Sequence, residues 1–181
     1  MHGNSKWLPD WPRNAQGIPH RQAARVVVVD TAGRVLLARG HDRRNPSRHW
    51  WFTIGGGCEA GESLREAALR ELAEETGIVL SAEELTGPVC ERRALFDFAE
   101  GDAYQDEFFF YATVTNTELS DAGWTEGERE VIDEHRWWDW EALCAEAQIA
   151  EVFPRQLPNL LALWRAGWDG RCLLLDERGD R

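Results

Sequence analysis

Residues 55–78 read Gly-Gly-Gly-Cys-Glu-Ala-Gly-Glu-Ser-Leu-Arg-Glu-Ala-Ala-Leu-Arg-Glu-Leu-Ala-Glu-Glu-Thr-Gly-Ile. Ser63 followed three residues later by Glu66 is a capping box, and Gly77 is a C-terminal stop, so the spacing predicts a helix over residues 63–76. On that helix Glu71, Glu74 and Glu75 fall at i, i+3 and i+4, within about 100° of arc. The same arc carries Leu64, Ala67 and Ala68, so the acidic stripe lies on a small, apolar face. A charge run is usually a solvated face, but like charges on a half-buried face destabilise a helix unless something positive neutralises them. Arg65 and Arg70 do not balance Glu59, Glu62, Glu66, Glu71, Glu74 and Glu75. A divalent cation does. An all-oxygen donor set without His or Cys favours hard Mg²⁺, with Mn²⁺ as a substitute, over zinc. Mg²⁺ is commonly shared with substrate phosphates, so the residues point to phosphate chemistry.

Outward from this helix the chain alternates strands and helices. Arg25–Asp30, with four consecutive valines, reads as a strand buried on both faces. Residues 30–33 form a turn, and Val35–Arg39 is the return strand. A polar loop over residues 40–49 holds Arg43, Arg44 and Arg48, and Trp50–Thr53 is a short strand leading into the glycines. Leu95–Phe98 and Asp106–Thr115 read as a hairpin around residues 100–102, the second strand being too apolar for a sheet edge. Val131–Trp138 is a further strand, Trp140–Ala147 and Arg155–Ala166 are helices, and Arg171–Asp176 is an additional edge strand. This order predicts a mixed α/β layered domain. Residues 1–20 read as an extended arm, 21–150 as the domain, and 151–181 as a C-terminal helix and tail on the same domain.

The fixed positions Gly56, Glu62, Arg70, Glu71, Leu72, Glu74, Glu75, Gly77 and Ile78 match the signature box of the Nudix hydrolases, and the chain resembles that family. The resemblance implies an α/β/α sandwich with a mixed central sheet, over about residues 20–150. It implies Mg²⁺-dependent cleavage of the P–O–P linkage of a nucleoside diphosphate joined to another group, such as a nucleoside triphosphate or nucleotide sugar. It further implies that Glu71, Glu74, Glu75 and the Gly55 carbonyl hold the metal. Arg70 would orient a catalytic glutamate, with Glu62 as its partner. Glu71 or a later carboxylate would deprotonate the attacking water; Glu130 is nearest to the expected position, with Glu126, Glu128 and Glu134 as rivals. The usual Pro-Gly-Gly at the box entry is Ile54-Gly55-Gly56 here. The downstream markers of ADP-ribose, dinucleoside polyphosphate and NADH members are missing, so the substrate stays open.

Arg39, Arg43, Arg44 and Arg48 are the cations expected to reach a ligand phosphate, with Arg92 and Arg93 as similar candidates. Trp51 is the aromatic expected at the ligand, among the stacking candidates Trp50, Phe96, Trp124, Trp137 and Trp138. His49 and His135 are read as structural. Two other readings share the fold. A nucleotide-sensing module would have lost a box glutamate and gained a basic winged helix. An isoprenoid diphosphate isomerase would need a paired Cys and Glu, for which Cys58 and Cys90 are the candidates.

Composition narrows the partners. With 20 Lys+Arg against 32 Asp+Glu the net charge is −12, which disfavours a long nucleic-acid footprint or an anionic membrane. No apolar run approaches the roughly 20 residues of a membrane span. The four cysteines are scattered without a CxxC pair, as expected of free thiols in a reducing cytoplasm. The tryptophan-rich ends point to a homodimer.

Overall fold

A computed structural model describes residues 11–98 and 101–178. Nine strands form one mixed sheet: β1 (His20–Asp30), β2 (Val35–His41), β3 (His49–Phe52), β4 (Ile54–Gly57), β5 (Thr86–Phe98), β6 (Gly101–Val114), β7 (Ile132–Trp138), β8 (Glu151–Phe153) and β9 (Leu173–Glu177). The path runs β8-β3-β2-β1-β6-β5-β9, while β4 pairs with β1 and β7 with β2. The helices are α1 (Leu64–Thr76), α2 (Glu126–Val131), α3 (Trp140–Glu146) and α4 (Leu157–Arg165).

The four valines decide the layering. Successive strand side chains point to opposite faces, and Val26–Val29 are all buried. Val26 and Val28 join Ala67, Ala68 and Leu72 of α1 in one core cluster. Val27 and Val29 join Leu143 of α3 and Leu157, Leu160, Leu161 and Trp164 of α4 in the other. Helices therefore cover both faces, which is the expected α/β/α sandwich. The apolar run of β6 is interior, between β1 and β5.

Helix α1 has the predicted ends. The Ser63 side chain accepts from the Glu66 N–H, the Glu66 carboxylate accepts from the Ser63 N–H, and Gly77 closes the helix in the left-handed conformation. The glycines expected to follow a strand form a strand of their own, β4, antiparallel to β1 with Arg25 opposite Gly55. The expected edge strand over residues 171–176 is present as β9, shifted to Leu173–Glu177 and parallel to β5. Of the expected arm, residues 1–10 lie outside the described residues; in the remainder Arg13 bridges Pro19, and Trp11 stacks on the Arg21 guanidinium 3.8 Å from its ring centre. Glu100, at the tip of the expected hairpin, also lies outside the described residues. Two short elements were not anticipated: α2, although Thr125 followed three residues later by Glu128 is a capping box like the one at Ser63, and the three-residue β8.

All four cysteines are free. No helix among the described residues is long and apolar enough to cross a membrane.

Candidate active site

The glycine strand and the acidic helix meet at one end of the sheet. A side chain on Gly55 would place its Cβ 2.1 Å from the Ala24 carbonyl oxygen, and the backbone there has φ of +130°. At Gly56 a Cβ would fall 2.5–2.7 Å from the Glu71 carboxylate. Only glycine permits this approach of strand to helix. It presses the Glu71 and Glu75 carboxylates against main chain, and the Gly55 N–H donates to Glu75 Oε2 at 3.0 Å.

Each box glutamate has a distinct surrounding. Arg70 donates through Nε and Nη2 to both oxygens of Glu62, at 2.8 and 2.9 Å. It also donates through Nη1 to Glu71 at 2.8 Å and Glu74 at 3.1 Å, and through Nη2 to the Gly57 carbonyl at 3.0 Å. The hydrogen bond from Arg70 holds the Glu62 carboxyl below the usual carboxylate range, and Glu62 in turn raises Arg70. Glu71 is pushed up by burial despite its Arg70 contact. Glu75 is fully enclosed and is raised to about 8 by the same desolvation. Glu66 is absorbed by the helix cap. Glu74 is half-exposed and ion-paired with Arg70.

The later carboxylate that joins them is Glu128. One carboxylate oxygen each from Glu71, Glu75 and Glu128 lie within 4.8 Å of one another. Glu130, two residues on, is exposed and ion-paired with Arg43, so the structure brings the rival Glu128 to the cluster in its place. Helix α2 accounts for this choice. The Thr125 cap fixes its start, and its first turn delivers Glu128, while Glu130 lies about 200° further round the same helix. Of the other expected ligands, Glu74 pairs with Arg70, and the Gly55 carbonyl accepts from Arg25 Nη1.

Glu71, Glu75 and Glu128 line a cavity of about 270 Å³. Its cations are Arg21, Arg25 and Arg92, and its aromatic wall includes Trp11, Trp50, Phe52, Phe96 and Phe153. Arg39, Arg43, Arg44 and Arg48 do not line it. Arg39 pairs with Glu134 at 3.4 Å, Arg43 pairs with Glu130, and the Arg44 N–H donates to Asp42 Oδ1 at 2.9 Å inside the turn that starts at Asp42. Arg48 binds the Asp97 carbonyl and carboxylate in an adjoining cleft. Trp51 is corrected as well: it is buried, donates its indole N–H to Glu146 at 3.0 Å, and meets Trp138 edge-on at 4.9 Å. Trp50, its neighbour on β3, faces the cavity, as strand alternation requires.

Sequence reading missed most of the polar wall of this cavity: of its residues only Arg92 was among the candidates. Arg21 and Arg25 lie on β1, and Gln105 and Glu107 lie beside them on β6 in parallel register. Arg25 Nε donates to Glu107 at 3.0 Å, Arg92 Nη1 donates to the same carboxylate at 2.6 Å, and Arg21 Nε donates to Gln105 at 2.6 Å. Burial lowers Arg21 to about 9, with Arg25 contributing. Burial opposes ionisation of Glu107, but Arg25 and Arg92 outweigh it and hold the carboxyl below its ordinary value. The readable signal was Arg21 and Arg25, two cations four residues apart and so on one face of the strand, just before the valines.

The donor set fits a hard divalent cation. Three carboxylates converge, two of them are destabilised as anions by burial, and the backbone at Gly56 comes close enough to fix one of them. Neither isomerase candidate has a reactive thiol environment: burial raises Cys58 and drives Cys90 to about 12.

A family model described as the NUDIX domain matches residues 19–160, and the chain belongs to that family. It is 40% identical over 74 residues to an RNA pyrophosphohydrolase of Dinoroseobacter shibae, covering 41% of this chain and 44% of that protein. It is 33% identical over 90 residues to the Nudix hydrolase YvcI of Bacillus subtilis, covering 50% and 51%. The chain thus spans about half the length of these curated relatives. Among solved structures, the NUDIX domain of Shewanella oneidensis NrtR, complexed with ADP ribose, superimposes with a TM-score of 0.57 at 18% identity over 89% of this chain and 97% of that one. That likeness concerns the fold.

Proposed function

We propose that the protein is a Mg²⁺-dependent pyrophosphohydrolase that cleaves the P–O–P linkage of a nucleoside diphosphate carrying a further group. The observation that carries this reading is the convergence of Glu71, Glu75 and Glu128 in a cavity that also presents arginines and aromatic rings. Glu71, Glu75 and Glu128 hold the cation, with Glu74 and the Gly55 carbonyl beside them. When bound, the cation neutralises phosphate charge and acidifies a bound water.

The chain's own residues do the rest. Arg70, locked by Glu62, fixes the position of Glu71. Glu71 or Glu128 accepts the proton of the attacking water: Arg70 holds Oε1 of Glu71 and Thr125 holds Oε2 of Glu128, which orients each carboxylate and leaves its other oxygen for the cluster. Arg21 and Arg25 offer donors toward a phosphate, and Trp50, Phe52 and Phe96 offer faces for a base. A net charge of −12 suits a small anionic substrate drawn to one neutralised point rather than a long polyanion. The relatives named RNA pyrophosphohydrolase add RNA carrying a phosphoanhydride to the search.

The test is a hydrolysis screen with and without Mg²⁺, over nucleoside triphosphates, oxidised nucleotides, nucleotide sugars, ADP-ribose, dinucleoside polyphosphates and 5′-triphosphate RNA. Release of two phosphate-bearing products from at least one substrate, only with the cation, is expected. A ligand that binds and is recovered unchanged from every reaction would overturn the reading in favour of a sensing module.

A further inference from the structure

A second group of metal-type donors, of which His41 lines the same cavity, is built from other strands. His41 on β2 and His49 on β3 are opposite each other in the antiparallel register. Asp133 lies on β7, along the other edge of β2. The β2–β7 register slips between Arg39 and Gly40: Arg39 faces Glu134 and Gly40 faces Ile132, which leaves Asp133 as the supernumerary residue. An extra residue of this kind re-aims its side chain. Here the bulge turns the Asp133 carboxylate onto the two imidazoles. His41 Nδ1–H donates to its Oδ1 at 2.8 Å and His49 Nδ1–H to its Oδ2 at 3.2 Å.

We propose that His41, His49 and Asp133 form a second cation site, selective for a borderline transition ion such as Zn²⁺ or Co²⁺ rather than Mg²⁺. One ligand atom from each of the three lies within 4.8 Å of the others. A tetrahedral ion with bonds of ~2.0–2.2 Å separates its donors by roughly 3.4 Å. The observed nitrogen–oxygen separations of 2.8 and 3.2 Å need only small side-chain rotations to reach that. Two imidazoles and one carboxylate suit Zn²⁺ or Co²⁺, whereas the three carboxylates at α1 suit Mg²⁺. The side chains are 19%, 36% and 29% exposed, so an ion can enter and water can complete its shell. Three protein ligands leave a coordination position open.

His41 also lines the cavity that holds Glu71, Glu75 and Glu128. An anionic oxygen of a bound ligand would therefore take the open position, and this last step rests on the proposed function. Cation binding itself does not.

The test uses the full chain and Co²⁺, followed by visible absorption in saturating Mg²⁺ so that the carboxylate cluster is filled. A saturable Co²⁺ band is expected, displaced by Zn²⁺ and retained in Glu75→Gln. His49→Ala and Asp133→Asn should weaken Co²⁺ by roughly 10–100-fold or more. Circular dichroism checks that the variants fold, and His41→Gln gives a second, conservative probe. No Co²⁺ band under Mg²⁺, or identical titrations for wild type and His49→Ala, would overturn the proposal. A band lost in Glu75→Gln but kept in His49→Ala would place Co²⁺ at the carboxylates; the second site would then fall while the pyrophosphohydrolase reading stood.

Discussion

Glu75 and Glu107 are two buried carboxylates in one cavity, 4% and 3% exposed, yet their chemistry differs in sign. Glu107 lies between Arg25 and Arg92 and is held as an anion. Glu75 accepts one backbone N–H and no hydrogen bond from a cation among the described contacts, so burial pushes it to about 8. Burial alone therefore does not separate structural from functional acid. The partners do. A carboxylate already matched by guanidinium completes the fold, whereas one left unmatched beside Glu71 and Glu128 is a place for a cation.

This contrast can be broken most forcefully at the unmatched end. Glu71→Gln and Glu75→Gln should each cut turnover by about 10²–10⁴-fold in a Mg²⁺ assay, with the far-ultraviolet spectrum unchanged. Near-normal rates in both variants would remove the distinction. At the matched end, Glu107→Gln should cost about 3–5 kcal/mol in urea denaturation, because it leaves Arg25 buried without its counter-charge. Glu75→Gln, measured without divalent cation, should cost nothing or stabilise, since it removes an unmatched acid.

The same pair differs in how it responds to added ion. Mg²⁺ at about a hundred times its dissociation constant should stabilise the wild type by roughly 2.7 kcal/mol, and should give little gain in Glu75→Gln. Glu107 supplies an acid limb. Its folded value is depressed, so its contribution is present above the unfolded value near 4.5 and is lost as pH falls below it. In Glu107→Gln that limb should flatten in acid melts. The smallest effect concerns the two neighbouring tryptophans. Trp51→Phe loses its bond to Glu146 and should cost about 1 kcal/mol without changing KM, whereas Trp50→Ala should raise KM with little loss of stability.

Legibility in the sequence followed the same division. The α1 side was readable because its signals are local: a capping box, a glycine stop, and carboxylates at helical spacing within one stretch of chain. The polar wall was not, because Arg25 and Glu107 are 82 residues apart and meet only through the parallel pairing of β1 with β6. Glu128 and Glu130 show the limit within a single loop. Both are acidic and two residues apart, and only the start of α2 decides which one turns inward. Arg39, Arg43, Arg44 and Arg48 were chosen for their closeness in sequence to the box, but none lines the cavity, and Arg39, Arg43 and Arg48 pair with Glu134, Glu130 and Asp97.

By itself the sequence determined the family, the two-faced strand at the valines, the extent of α1 and the cation-type carboxylates on it, since each depends on spacing along a few helical turns or one strand. Only the tertiary structure decided which arginines and aromatics face the ligand cavity, which later glutamate completes the cluster, and that His41, His49 and Asp133 meet. Those outcomes depend on register between distant strands, where a shift of one residue sends a side chain to the opposite face.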